Sequence, residues 1–165
     1  KLCCFLYAGF SYTNLRKHHL EHHQHPAEHG KDPDYTKYAD ENFFKWLYSF
    51  FRQYFGLREF VILHFHSLVI LSLGGFEIWK LFVFYAIPSW VSALQLFYFG
   101  TYLPHRGFKT ANALDGIKSR SSDYPRWLSL LTCYHFGYHW EHHKYPYLAW
   151  WRLPSARTLH QNNNN

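Results

Sequence analysis

Between Leu81 and His105 the chain carries no Asp, Glu, Lys or Arg. Coiled as a helix, Leu81 to Leu103 would reach about 35 Å, more than the roughly 30 Å hydrocarbon core of a bilayer. Pro88 lies inside this stretch and predicts a kink of the kind that membrane helices tolerate. A second charge-free stretch, Phe60 to Phe76, ends at Gly74-Gly75 and is the weaker candidate, being shorter and interrupted by His64 and His66. A third, Leu2 to Leu15, is rich in Leu, Phe, Tyr and Cys and predicts most of a spanning helix. In Asn42 to Gly56 (NFFKWLYSFFRQYFG) aromatic residues surround Lys45 and Arg52, which predicts an amphipathic helix lying at the interface. The expected fold is therefore all-α and transmembrane, with several spans. One domain is expected over residues 1–160, followed by a disordered Asn-rich tail at 161–165.

The charges give an independent test of that topology. The chain has 17 Lys and Arg and a formal charge of +6, a balance that by itself suits nucleic acid. These bases form no stripe and no long run; they flank the apolar segments, as residues facing lipid headgroups do. Suppose residues 2–15 descend, 58–75 rise and 79–103 descend again. Only Lys1 and Lys80 then fall on the far side, which makes the near side cytoplasmic by the positive-inside rule. The same assumption puts the histidines at 18–29 and those at 135–143 on that one face. Residues 107–124 are polar and predict a loop, and Trp127 to Tyr138 is apolar and leads into the second histidine cluster. Cys3, Cys4 and Cys133 form no CxxC pair and read as buried thiols of a reducing compartment. A chain without methionine that opens on Lys1-Leu2-Cys3 inside an apolar stretch reads as a piece of a longer protein.

Histidine patterning carries the chemistry. His19-Leu20-Glu21-His22-His23 and His139-Trp140-Glu141-His142-His143 both read HxxHH. Positions i, i+3 and i+4 share a helix face, so each box presents three imidazoles together. Neutral imidazole suits iron, zinc, copper and nickel, and two boxes on one side of a membrane can bracket a pair of ions. No HExxH occurs, which removes the zinc-protease reading. A non-enzymatic membrane protein that handles metal stays open. His105 returns to the box side and is a candidate to complete a coordination shell. His135, one turn before His139, is a ligand or a hydrogen-bond donor to one, on the same face if the helix extends that far back. His18, His25 and His29 read as solvated or supporting, and His64 and His66 as hydrogen-bonded within their apolar stretch. No role is read for His160. Glu21 and Glu141 occupy equivalent places, suited either to orienting a ligand imidazole or to plain salt bridges.

The boxes resemble those of the integral-membrane fatty-acid desaturase and hydroxylase superfamily. Three runs narrow the resemblance: HLEHHQHPAEHGKDPDY from His19, LQLFYFGTYLPH from Leu94 and TCYHFGYHWEHHKYPYLAWWRLP from Thr132 are similar to the carotenoid ketolases, the β-carotene 4-oxygenases. The likeness covers nearly all of the chain outside the Asn tail. It implies two non-haem iron ions held mostly by imidazoles, with His19, His22, His23, His139, His142 and His143 as ligands and His105 and His135 as additional candidates. It further implies dioxygen, electrons from reduced ferredoxin or a similar donor protein, and a carotenoid drawn from the membrane lipid, with no nucleic-acid partner. Two hydroxylations of the ring C4 methylene would give a geminal diol that loses water to the ketone, turning β-carotene into echinenone or canthaxanthin. The family carries an earlier HDxxHG box before the segment at 2–15, and this sequence does not contain it. The piece by itself is thus expected to lack at least two iron ligands and to be inactive. The boxes alone leave a fatty-acid desaturase or hydroxylase open. Phe97, Tyr98, Phe99, Trp150 and Trp151 suit either a polyene channel or interfacial anchoring.

Overall fold

The computed structural model describes residues 1–75, 77–108 and 116–163, and among these all regular structure is helical. Eight helices organise the chain: α1 (Leu2–Ala8), α2 (Tyr12–Gln24), α3 (Phe43–Tyr54), α4 (Leu57–Gly74), α5 (Ile78–His105), α6 (Arg126–Leu131), α7 (His139–Lys144) and α8 (Leu153–Asn163).

The single helix expected over residues 2–15 is broken in two. Gly9 adopts φ 67°, the left-handed conformation that ends helices, and its N–H reaches back to the carbonyls of Cys4 and Phe5. Ile62 of α4 packs so closely on Gly9 that a Cβ there would lie 2.7 Å from its Cγ2. The chain then restarts, with the Ser11 hydroxyl accepting from the Asn14 N–H at 3.4 Å to cap α2. The break frees α2 to carry the first box at its own angle.

Helices α4 and α5, of 18 and 28 residues, are long and apolar enough to cross a membrane. In each, only 6% of the apolar window is buried. A core helix of a soluble domain shows the opposite, so the side chains of Phe65, Leu68, Leu73, Phe84, Trp90 and Val91, all exposed, need another apolar medium. Pro88 and Pro104 do not break α5. Each follows a widened π turn, Phe82–Ala86 and Tyr98–Tyr102, which absorbs the missing proline N–H.

The buried core lies at the His105 end of α5. Trp46 and Phe50 on one face of α3 pack against Phe97, with ring centroids 5.8 and 5.1 Å away. Tyr35, Ala27 and Ala39 from the segment between α2 and α3 close it. The opposite face of α3 exposes Phe44 and Tyr48, in keeping with an amphipathic helix. Residues 109–115 of the expected polar loop lie outside the described residues, and the remainder up to Pro125 has no regular structure. At the other end, α8 continues through residues 161–163 of the expected tail; Asn164 and Asn165 lie outside the described residues.

Candidate metal centre

Helix α2 delivers His19, His22 and His23, the last residues of α5 deliver His105, and α7 delivers His139, His142 and His143. Residues more than a hundred apart in sequence meet here: His22 Nε2 lies 3.1 Å from His143 Nε2, and His23 Nε2 lies 3.0 Å from His142 Nε2. Both boxes and His105 therefore share one face of the molecule.

The imidazoles sort into two adjoining groups. His22, His105, His139 and His143 are all buried, and their ligand nitrogens lie within 4.8 Å of one another. His19, His23 and His142 form a second, more exposed group, with His19 and His23 Nε2 atoms 3.2 Å apart. The groups touch where the His23 ring stacks on that of His143, centroids 4.3 Å apart.

The buried group is built for a cation. His22 is fixed by Asp32, whose carboxylate oxygens lie 2.9 and 3.0 Å from Nδ1. His105 is fixed by the Lys118 carbonyl, 2.7 Å from its Nδ1. Both rings, with Nδ1 donating, present a bare Nε2 lone pair. His143 approaches His22, His139 approaches His105 at 2.9 Å, and His139 and His143 approach each other at 3.0 Å. With both ends of this chain acting as acceptors, no distribution of one proton per ring satisfies all three contacts. Two nitrogens each about 2.1 Å from one ion stand about 3.0 Å apart at a right angle and about 3.4 Å apart at the tetrahedral angle. The observed spacings are those of nitrogens close enough to share one ion, so the donor set fits a metal.

Electrostatics agree. Burial, then repulsion from neighbouring imidazoles, pushes His23 down to about 3 and His142 to about 4. The same causes hold His19, His139 and His143 below the ordinary histidine value. The rings are thus neutral, the form that binds metal. His22 is the exception: burial lowers it, but the Asp32 hydrogen bond and the Asp34 charge outweigh burial and raise it. Burial also opposes the Asp32 charge. Its bonds to His22 and to the N–H groups of Ala27 and Asp34, both at 2.8 Å, prevail and hold that carboxyl low.

His135 is not brought to either group. The helix that was to carry it begins only at His139, because Cys133, Tyr134 and His135 all take positive φ and turn the chain. Its ring lies instead beside Tyr138 and Trp150, at 5.6 and 5.9 Å. The other histidines keep away as well: His18 packs on Tyr54, His25 pairs with Glu28, His29 lies against Tyr35, and His64 Nδ1 meets the Phe60 carbonyl at 2.9 Å. His66 packs on Phe5 and His160 on Trp140. The two box glutamates take salt bridges rather than imidazoles. Glu21 faces Lys17, and buried Glu141 accepts from Ser121 and faces Arg157.

Sequence reading missed Asp32, Asp34 and Tyr54. Asp32 does what the box glutamates were candidates for. Asp34 accepts from the Tyr54 hydroxyl, while its carbonyl accepts from Trp46 Nε1 at 2.8 Å. The available signal was Asp32-Pro33-Asp34, two acids in a turn-forming setting shortly after the box.

Beside the centre opens a cleft of about 360 Å³. His19, His22 and His139 line one part of it, and Leu15, Phe51, Leu96, Gly100 and Phe136 supply an apolar wall. Phe97 is in the core instead, and Trp150 and Trp151 lie on the surface. A larger groove of about 610 Å³ beside Tyr38, Phe44 and Tyr48 is touched by none of the histidines.

A helical fold with an imidazole pair-site at the end of apolar helices defines a class, and the comparisons with known proteins agree. The fatty acid desaturase family model matches residues 1–71 and 59–163, and the chain belongs to that family. Among its relatives, a beta-carotene ketolase of Haematococcus lacustris is 40% identical over 96% of this chain and 50% of that protein. A beta-carotene ketolase of Paracoccus sp. (strain N81106 / MBIC 01143) is 42% identical over 96% of this chain and 63% of its own length. A zeaxanthin 4-ketolase of Chlamydomonas reinhardtii is 39% identical, over 96% and 36% respectively. The chain spans about half the length of the first of these relatives. No solved structure matches it.

Proposed function

We propose that this chain supplies most of the metal centre and substrate cleft of an integral-membrane carotenoid 4-ketolase, with its histidines on the cytoplasmic face. The observation that carries the reading is the apolar cleft opening directly onto His19, His22 and His139. His22, His105, His139 and His143 would hold one iron, and His19, His23 and His142 would contribute to the second. Bound there, non-haem iron would supply the activation of dioxygen that hydroxylation of the allylic C4–H bond requires.

The chain's own residues supply the rest. Asp32 and the Lys118 carbonyl lock two rings with Nε2 toward the site, and burial keeps the imidazoles other than His22 neutral. Leu15, Phe51, Leu96 and Phe136 give a ring of a carotenoid an apolar seat and exclude water from the reacting carbon. Each hydroxylation replaces one C4–H by C4–OH, puts the second oxygen atom into water and consumes two electrons and two protons. The electrons come from a donor protein such as reduced ferredoxin. After the second round the geminal diol loses water to the ketone.

The test is carotenoid analysis of a β-carotene-accumulating bacterium expressing the full-length protein. Echinenone or canthaxanthin is the expected product, abolished by His142→Ala. Unchanged β-carotene with altered acyl unsaturation would move the assignment to fatty-acid chemistry.

A further inference from the structure

The segment before the second box carries exposed apolar side chains in unusual density. Trp127, Leu131 and Tyr134 are 65%, 67% and 66% exposed, and Leu130 is 42% exposed. Its position beside α5 says what covers them. Gln95, a polar residue within the apolar stretch of α5, donates from Nε2 to the Leu131 carbonyl at 2.9 Å. Higher up, a Cβ on Gly100 would come within 3.4 Å of the Phe136 ring. At the top, His105 meets His139. Residues 131–139 therefore climb alongside residues 95–105. The chain before them runs the other way: Ser122 donates its N–H to the Gly137 carbonyl at 2.7 Å, and Gly137 lies against Tyr124 and Ser129. Helix α6 thus leads down from the level of the histidines to a tip at Leu131, and the chain returns.

The depth of that tip follows from helix geometry. At about 1.5 Å per residue, α5 is about 42 Å long and projects about 6 Å at each end of a core of roughly 30 Å. Gln95 lies about 15 Å along the axis from His105, which puts it about 9 Å inside the hydrocarbon. We propose that residues 125–138 form a re-entrant hairpin that dips into the same leaflet, with Leu130, Leu131 and Tyr134 facing acyl chains and Arg126 and Trp127 at the headgroups. The proposal rests on the reading of α5 as a span.

Non-helical backbone survives in hydrocarbon only where its polar groups are paired, and four N–H groups of this turn have carbonyl partners. The N–H groups of Thr132, Tyr134 and His135 donate to the carbonyls of Leu128, Leu130 and Ser129, each at 2.9 Å, and Phe136 donates to Cys133 at 3.0 Å. Gln95 supplies the partner for Leu131. The three consecutive positive φ angles at Cys133, Tyr134 and His135 make the reversal. An exposed arginine at the entrance and a tryptophan beside it are the residues that sit at a membrane–water boundary.

The test uses nitroxide labels in the full-length protein, reconstituted in phosphatidylcholine vesicles, with Cys3, Cys4 and Cys133 replaced by Ser. Labels at Leu131→Cys and, as a second site, Leu130→Cys are compared with Val91→Cys on α5 and Lys17→Cys on α2. The expected result is oxygen collision well above that at Lys17 and approaching that at the deeper Val91, with loss of the nickel-chelate collision seen at Lys17. Nickel access at the tip while Val91 stays oxygen-accessible would overturn the hairpin and leave the span intact. Exclusion of both reagents would show a protein partner there and overturn it equally. Nickel access at Val91 itself would remove the span reading, and the hairpin with it.

Discussion

At the scale of single residues, the centre depends on groups that hold imidazoles as much as on the imidazoles. Asp32 is the clearest case, since it fixes His22 through both oxygens. Asp32→Asn keeps the shape but removes the charge, and metal affinity is expected to fall about 10- to 100-fold, read by competition with a chelator. Protonation gives a second expectation. His19, His23, His139, His142 and His143 all have folded values below 6.5. In the metal-free protein the unfolded chain takes up protons as pH drops through 6.5, while the folded rings resist, His142 to about 4 and His23 to about 3. Stability is full above 6.5 and declines toward pH 4. His22, raised, works oppositely: its contribution is present below 6.5 and is lost as pH rises through its folded value. His22 is outnumbered by the lowered rings, so thermal melts of metal-free protein should show a falling midpoint between pH 6.5 and 4. A rising midpoint would contradict the burial of these rings.

At the scale of elements, α3 and α5 pin the loop that carries Asp32. Trp46 is fully buried and bonds the Asp34 carbonyl. Trp46→Ala is expected to cost about 3–5 kcal/mol in denaturant unfolding and to weaken metal binding with it. Gly100 lines the cleft with Phe136 at its side. Gly100→Val should narrow the cleft and lower ketone yield while iron content stays at the wild-type level. Apolar runs and box spacing made α2, α4, α5 and the pairing of the boxes readable in the sequence. The break at Gly9 was not, because it depends on Ile62 arriving from α4. Nor was the start of α7 at His139: an apolar run continuing into HxxHH looks like one helix, and only the reversal at Cys133–His135 separates His135 from the cluster. Asp32 escaped notice because a loop must fold back over α2 before its carboxylate meets His22.

At the scale of the whole molecule, two apolar helices with exposed flanks lead to a buried imidazole cluster, and the cleft lies between the two. In the proposed ketolase that arrangement would let a membrane-dissolved polyene reach the centre without crossing water. The proposed function requires the two histidine groups to hold a pair of irons. Metal analysis with Mössbauer spectroscopy of the purified full-length protein, loaded with ⁵⁷Fe, tests it most directly. Under that proposal two irons per polypeptide in nitrogen-rich surroundings are expected, with both His139→Ala and His142→Ala reducing the iron content. Zinc alone, or iron content indifferent to both substitutions, would contradict it.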